Sequence, residues 1–313
     1  MFKITTKAKA SLSNPEQIVP YLQQQGQTFV HLFKSNQYKK AVYSLLNEVI
    51  PISGIIGDSW AYVVKEVNDT KMVLDLRDRG INRDLLLNGT REESATIEEF
   101  SNQLERLKSE YETVYAFDIG ANIGYYVLLE ADILGNGSQI FGFEPHPENV
   151  FQLRKSLERN EFDDFVQVEQ CAIGAENATT ELAVSSHSNT HKIADIGDSS
   201  TTIEVPMKSV DEAVSEIELS ASDCVILRID VEGFEHQVFS GMREVLSRDM
   251  DVFLFAEIHS SVPEESKQEM MTSLSDSGFE LVYTNKQNAE SLSDLSTSSS
   301  FHVMAKKEVP DDG

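Results

Sequence analysis

From residue 114 onward, short apolar runs alternate with segments in which apolar residues recur at helical spacing. The runs cover 114–117, 139–143, 166–168, 224–229 and 252–256, and two later ones cover 279–283 and 301–305. Helical spacing falls near 125–134, 147–160, 235–248 and 264–277. Near-continuous apolar strands separated by amphipathic helices predict a mostly parallel sheet covered on both faces. The expected fold class is therefore α/β, a doubly wound, seven-stranded, mostly parallel sheet. Ligands of such sheets bind beyond the carboxyl ends of the strands, at the point where strand order reverses.

Ahead of this pattern the chain reads differently. Residues 16–43 have largely helical spacing through Ile18, Val19, Leu22, Val30, Leu32 and Phe33, divided by Pro20 and Gly26, and 41–50 stay apolar until Pro51. Two β-rich stretches, 60–67 and 71–76, flank an Asn68-Asp69 turn and predict a hairpin, and 98–107 returns to helical period. The expected organisation is an N-terminal helical and hairpin cap over 1–110 that contributes to substrate choice, a main domain over 111–308 and a disordered tail over 309–313. Two segments break the strand–helix rhythm. Residues 185–202, rich in Ser, Thr, Asp and Gly and containing His187 and His191, read as a mobile loop, and the Ser-rich 287–300 as a surface loop.

The chemistry concentrates where strands end. Asp118-Ile119-Gly120-Ala121-Asn122-Ile123-Gly124 follows an apolar strand and opens a helix, so its glycines sit where the backbone turns sharply. A dinucleotide loop places a glycine where Asn122 stands, and the acid Asp118 before the loop suits an ammonium group better than phosphates. Glu144, at the end of the next strand, stands where a carboxylate accepts the hydroxyls of an adenosine ribose. Farther along, Asp230 and Glu232 share one face in extended geometry. They are placed to orient and deprotonate an acceptor hydroxyl or to offer oxygen ligands to a divalent metal. Glu232 and Glu235 also suit the cap of the following helix. Glu257 and His259 end the fifth strand at the same rim. His259 is a candidate general base, because an ordinary imidazole titrates near neutrality. His236 is a second rim histidine.

Several of these segments together resemble a known family. They are 74–80, the loop 118–124, Glu144-Pro145, Ala172-Ile173-Gly174, Ser209-Val210-Asp211-Glu212 and 228–235. In that order and spacing the chain resembles the S-adenosylmethionine-dependent methyltransferases of the FkbM type over about 72–260. The resemblance implies a Rossmann-like methyltransferase fold with S-adenosyl-L-methionine as cofactor. It also implies methyl transfer, commonly to a hydroxyl of a sugar, glycan or secondary metabolite. It places Asp118, Gly120, Asn122 and Gly124 toward the methionine part of the cofactor, Glu144 at the ribose, and Cys171 and Ala172 at the adenine edge. The acceptor rim would draw on Arg77, Asp78, Arg79, Asn82 and Arg83 and on the 185–202 loop, and Asp230, Glu232 and His259 would carry the catalysis.

Composition narrows the partners. Over 313 residues, 26 Lys plus Arg oppose 52 Asp plus Glu, a formal charge of −26. A chain this acidic lacks the concentrated basic face that phosphate binding needs, so nucleic acid and anionic membrane are excluded as expected partners. The excess reads as a solvated surface suited to high salt, with salt-dependent stability as its corollary. Cys171 and Cys224 lie far apart with no metal-ligand spacing and read as buried small residues rather than nucleophiles or a disulfide. The polar start is not a signal peptide, and no apolar run is long enough to span a bilayer, so the expectation is a cytoplasmic enzyme. Oligomeric state is left open. A nicotinamide-dependent oxidoreductase and a non-catalytic cofactor-fold module are the alternatives.

Overall fold

The computed structural model describes residues 62–309 apart from 77, 79, 90–93, 184–191, 194–201, 221, 287–288 and 296–298. The helices expected over 16–50, Arg77, Arg79, His187, His191 and the tail lie outside the described residues. The hairpin is present: β1 (Tyr62–Val67) pairs with β2 (Thr70–Asp75) across Asn68 and Asp69, both in the left-handed region that a two-residue turn requires.

Two compact units divide the chain. Among the described residues, the first contains 62–65 and 73–89. In it α1 (Ile81–Asn88) buries Leu85 and ends on Gly89, which is left-handed at φ 76°. Asn82, expected at an acceptor rim, is buried here. Its Oδ1 accepts the Asp75 N–H and its Nδ2 donates to Asp78 Oδ2, so Asn82 and Asp78 shape a turn.

The second unit holds residues 66–72 and everything from 91 onward. Its centre is a seven-stranded sheet built from β3 (Thr113–Ile119), β4 (Gln139–Phe143), β5 (Val166–Glu169), β10 (Asp223–Ile229), β11 (Asp251–Ile258), β12 (Glu280–Thr284) and β13 (Phe301–Lys307). The order is β12-β13-β11-β10-β3-β4-β5, and β13 runs antiparallel to both its neighbours. The chain steps outward from β3 to β5 and then crosses back to the other side of β3, so strand order reverses between β3 and β10. All seven strands fall where the apolar runs predicted them. In β3, β10, β11 and β13 the reason is burial on both faces, which makes nearly every position apolar, while the edge strands β5 and β12 are only partly buried.

One face is covered by α2 (Ser94–Glu110), α3 (Tyr125–Leu134) and α4 (Pro147–Asn160). The buried Ile97, Phe100, Leu104 and Leu107 of α2 recur at helical spacing, and Phe100 packs against Tyr126, Phe253 and Phe255. This helix therefore belongs to the unit that carries the sheet. The other face carries α5 (Val210–Ser215), α6 (Glu235–Ser240), α7 (Arg243–Ser247) and α8 (Glu264–Asp276), whose Val214, Val238, Val245 and Leu274 join the main core. The single helix expected over 235–248 is thus two short ones, parted at Gly241. The break has a packing cause: a Cβ on Gly241 would lie 2.1 Å from the Gly174 carbonyl oxygen.

Two segments differ from expectation. Between β5 and β10 the chain builds a second sheet of β6 (Ala172–Gly174), β7 (Ala178–Ala183), β8 (Lys192–Ile193) and β9 (Thr202–Ser209), in the order β6-β9-β7-β8. The stretch read as a loop over 185–202 therefore contains β8 and reaches the first residue of β9, with the rest outside the described residues. The Ser-rich 287–300 also carries structure, a short 3₁₀ turn at Leu292–Leu295 whose two leucines are buried in the main core.

Candidate active site

Hydrogen bonds that continue past the strand ends set the site's width. Asp230 N–H donates to the Ile119 carbonyl at 3.0 Å, Gly120 and Ala121 N–H both donate to the Phe143 carbonyl at 2.9 and 3.0 Å, and Glu144 N–H donates to the Glu169 carbonyl at 3.2 Å. Asp230, Gly120 and Glu144 therefore stand in a row, one per strand, with neighbouring strands about 4.8 Å apart. The row lies at the reversal point between β3 and β10 and its flank.

In the glycine loop, Gly120, Asn122 and Gly124 all have positive φ, at 84°, 51° and 91°. The two glycines are required by neighbouring protein. A Cβ on Gly120 would lie 1.9 Å from the Asp230 carbonyl oxygen, and one on Gly124 would lie 2.3 Å from Leu153 Cδ1. Asn122 turns its N–H onto Glu144 Oε2 at 2.9 Å. Glu144, nearly fully buried, also accepts from His146 N–H at 2.8 Å and Asn149 Nδ2 at 3.2 Å through Oε1. The ends of β3 and β4 are thus clasped by one carboxylate.

Burial pushes Glu144 up to about 7, against the pull of its three donors. In the unfolded chain it titrates near 4.5, so between these values the native state holds a proton that the unfolded state has lost. Stability falls as pH rises through that window. The shift corresponds to about 3 kcal/mol. We expect the ligand-free protein to lose stability between pH 5 and pH 8 in urea titrations, and Glu144→Gln to remove that share of the slope. A variant with the wild-type slope would show that Glu144 is ionised throughout.

Arg228 links the loop to the acids beyond it. It pairs in register with Asp118 across β10 and β3, and both side chains are buried. Its Nη1 donates to Asp118 Oδ1 at 3.0 Å and to the Gly120 carbonyl at 3.3 Å, and its Nη2 to Asp230 Oδ2 at 2.6 Å. The guanidinium also lies over the Tyr126 ring at 4.1 Å. Glu130 of α3 is fully buried beside this group, and neither of its carboxyl oxygens has a hydrogen-bond partner among the described residues. Burial and the nearby Asp118 raise its pKa well above the ordinary carboxylate value.

Beyond Asp230 the chain passes through two left-handed residues, Glu232 at φ 53° and Gly233 at φ 99°, before α6 begins. The buried Glu235 accepts the Gly233 N–H at 3.1 Å and His259 Nδ1–H at 2.5 Å on the same oxygen, Oε1. With Nδ1 fixed there, His259 Nε2 faces Glu232 Oε2 at 3.5 Å, Glu257 Oε1 at 3.5 Å and Asp230 Oδ1 at 3.9 Å. Glu257 also faces His302, its register partner on β13, at 3.4 Å. Burial alone would lower His259, but the Glu235 hydrogen bond and the surrounding acids push it up to about 9. Burial and the neighbouring Asp230 push Glu232 up to about 7.

The methyltransferase FkbM domain matches residues 118–281, more than half of the chain. The chain belongs to this family. Its FkbM domain spans the sheet from the end of β3 to β12, together with the small second sheet. No curated protein matches. The solved structures that match are distant. A precorrin-6y C5,15-methyltransferase from Geobacter metallireducens is 13% identical with TM-score 0.38, covering 70% of this chain and 93% of its own. TYW2 from M. jannaschii, in complex with AdoMet, is 13% identical with TM-score 0.38, covering 79% and 84%. A SAM-dependent O-methyltransferase from Thermotoga maritima is 12% identical with TM-score 0.36, covering 69% and 67%.

Within the FkbM domain the residues singled out from sequence divide into three groups. Gly120, Asn122, Gly124 and Glu144 form the clasp at the ends of β3 and β4. Asp230, Glu232 and His259 gather on the rim of β10 and β11, where each offers a ligand atom within 4.8 Å of the others. Asp118 joins the two groups from beneath through Arg228. Cys171 is buried between β5 and β6 and Ala172 is buried at the start of β6, and burial pushes the Cys171 thiol up to about 12, far from nucleophilic at neutral pH. Cys224 is buried in β10. His236 lies on α6 with its ring edge-on to Phe234. Sequence reasoning passed over Arg228 and Glu130. The available signal was a lone charge inside an otherwise apolar strand or helix.

Proposed function

We propose that this chain transfers the methyl group of S-adenosylmethionine to a hydroxyl of a sugar, glycan or secondary-metabolite acceptor. The observation that carries the reading is the row at the carboxyl ends of β4, β3, β10 and β11, which sets Glu144 and the glycine loop beside Asp230, Glu232 and His259. The donor set fits the cofactor. An ionised carboxylate offers roughly four lone-pair sites. Glu144 fills three of them with the N–H groups of Asn122 and His146 and the Asn149 side-chain amide, which leaves an acceptor for a ribose hydroxyl. When bound, the sulfonium supplies an electrophilic methyl carbon.

The chain's own residues then have two tasks. The first is alignment of the acceptor oxygen, for which the clasp and the rim are held together by Arg228. The second is removal of the hydroxyl proton. His259, expected as the base, keeps its own proton at neutral pH with its neighbours as they stand, so the rim carboxylates take the acceptor side. Asp118 acts as the buried anchor of Arg228.

Acceptors of this kind fit a chain whose acids are mostly at the surface. Among the described residues the buried acids are Asp75, Asp118, Glu130, Glu144 and Glu235. The remainder of the acid excess supports a solvated, salt-adapted enzyme of the cytoplasm, without nucleic-acid or membrane partners. No helix among the described residues is long and apolar enough to cross a membrane.

Calorimetry with S-adenosylhomocysteine, followed by labelled methyl transfer to a panel of hydroxyl acceptors, tests the reading. The wild type is expected to bind the nucleoside and Glu144→Ala to bind it at least about tenfold more weakly, the loss of one charged hydrogen bond. Glu232→Gln is expected to bind it normally and to transfer methyl about 10²-fold more slowly. Absence of binding by the wild type would refute the proposal.

A further inference from the structure

We propose that Asp230, Glu232 and His259 form a binding site for one divalent first-row transition-metal ion. Three observations converge on it. His259 Nε2 stands 3.5 and 3.9 Å from the Glu232 and Asp230 oxygens, too far for a good hydrogen bond to either. The three side chains nevertheless all offer ligand atoms within 4.8 Å of one another. Ligands bound about 2.1 Å from a common ion lie roughly 3.0–3.4 Å apart when adjacent and about 4.2 Å apart when opposite. The Nε2 gaps of 3.5 and 3.9 Å lie between these two spacings, so the cluster closes on an ion with small side-chain movements.

The second observation is the support behind the ring. Glu235 Oε1 meets Nδ1 of His259 at 2.5 Å, which leaves Nε2 as the ring nitrogen turned toward the rim carboxylates. An ion bound there would take the place of the Nε2 proton. A buried carboxylate behind a histidine is also the usual support of a metal-ligating imidazole. Glu235 is fully buried, and its other oxygen, Oε2, has no hydrogen-bond partner among the described residues. A buried carboxylate therefore stands behind the imidazole with half of its acceptor capacity unused.

The third observation is charge. Asp230, Glu232, Glu235 and Glu257 crowd one imidazole, while the nearby Arg228 divides itself between Asp230 and the buried Asp118. Even with the buried Lys267 beside Glu235 and His302 facing Glu257, acids outnumber cations around His259, so the rim favours an added positive charge. Two carboxylates with one imidazole suit Mn²⁺, Fe²⁺ or Zn²⁺ better than Mg²⁺ or Ca²⁺, which prefer all-oxygen sets. On the methyl-transfer reading, on which its purpose rests, an ion here would hold the acceptor oxygen beside the cofactor. The ion site itself does not depend on that reading.

Titration of Mn²⁺ into the full chain stripped with chelator, read by the electron paramagnetic signal of the unbound ion, tests the inference. We expect one site per chain, with affinity falling at least tenfold in His259→Ala and in Glu232→Gln. Glu232 is the more exposed of the two, and its neutral amide leaves the fold undisturbed. Circular dichroism of both variants separates lost binding from lost structure. No saturable Mn²⁺ binding, or binding unchanged in a folded Glu232→Gln, would overturn the site. S-adenosylhomocysteine binding measured on the same samples separates the two proposals. Nucleoside binding without Mn²⁺ sinks the metal site alone, and Mn²⁺ binding without nucleoside sinks the methyl-transfer reading alone.

Discussion

Gly120→Ala is expected to be the most damaging single methyl that can be added to the loop, lowering stability by roughly 2–5 kcal/mol. The residue sits at φ 84°, where an L side chain is disfavoured, and the new Cβ would lie 1.9 Å from the Asp230 carbonyl oxygen. That oxygen cannot withdraw cheaply. Asp230 is held by its own N–H on the Ile119 carbonyl and by its carboxylate on Arg228. Relief would require parting β3 from β10 at the reversal point, so cofactor clasp and rim would be damaged together. Gly137→Ala is the matched control, because nothing lies within 4 Å of its added Cβ and its φ is ordinary. Urea unfolding of the two should differ by several-fold in ΔΔG, with the control within about 0.5 kcal/mol of wild type. Equal stabilities would mean that the strand ends yield more easily than their hydrogen bonds imply.

Arg228→Met is the second large effect, expected to cost about 3–5 kcal/mol. Methionine replaces the side-chain volume but leaves Asp118, which is fully buried, without the cation that compensates it. Glu130 stands beside it, and losing the guanidinium removes the one charge that pulls its raised pKa down. Arg228→Lys should recover part of the loss, because a single ammonium cannot reach Asp118, the Gly120 carbonyl and Asp230 in the fork geometry a guanidinium provides. A double-mutant cycle with Asp118→Asn isolates the pair, since removing both charges removes the cause of the penalty. If Arg228→Met and the double variant were equally unstable in urea, the damage would come from lost packing on Tyr126 instead.

The main sheet was legible because its central strands are apolar on both faces and most of its helices amphipathic, so two periods alternate along the chain. The second sheet was not. β7 leaves half of its residues exposed, and Leu182, Val205 and Ala172 form the small buried cluster of this sheet, with Ile203 and Met207 beside it. Strands that bury so little carry no run and no clean alternation. In the site, the glycine loop was found by spacing, but spacing could not say what its glycines approach. They approach Asp230 and Leu153, which are distant in sequence. Likewise His259 reads as an ordinary imidazole in sequence, while its protonation is set by Glu235 and Asp230, which reach it from α6 and from the end of β10. The single Arg in the run 224–229 was the one visible sign that the strand carries a charge network.

That network has a consequence for how ligands communicate. One rigid fork touches the β3 side at Asp118 and Gly120 and the β10 side at Asp230. The halves that would receive donor and acceptor therefore share a mechanical element with few ways to move. Any ligand whose arrival shifts one half changes the free energy of the other, and linkage makes that coupling the same in both directions. Order of binding, in such an architecture, is a property of the buried arginine as much as of either pocket.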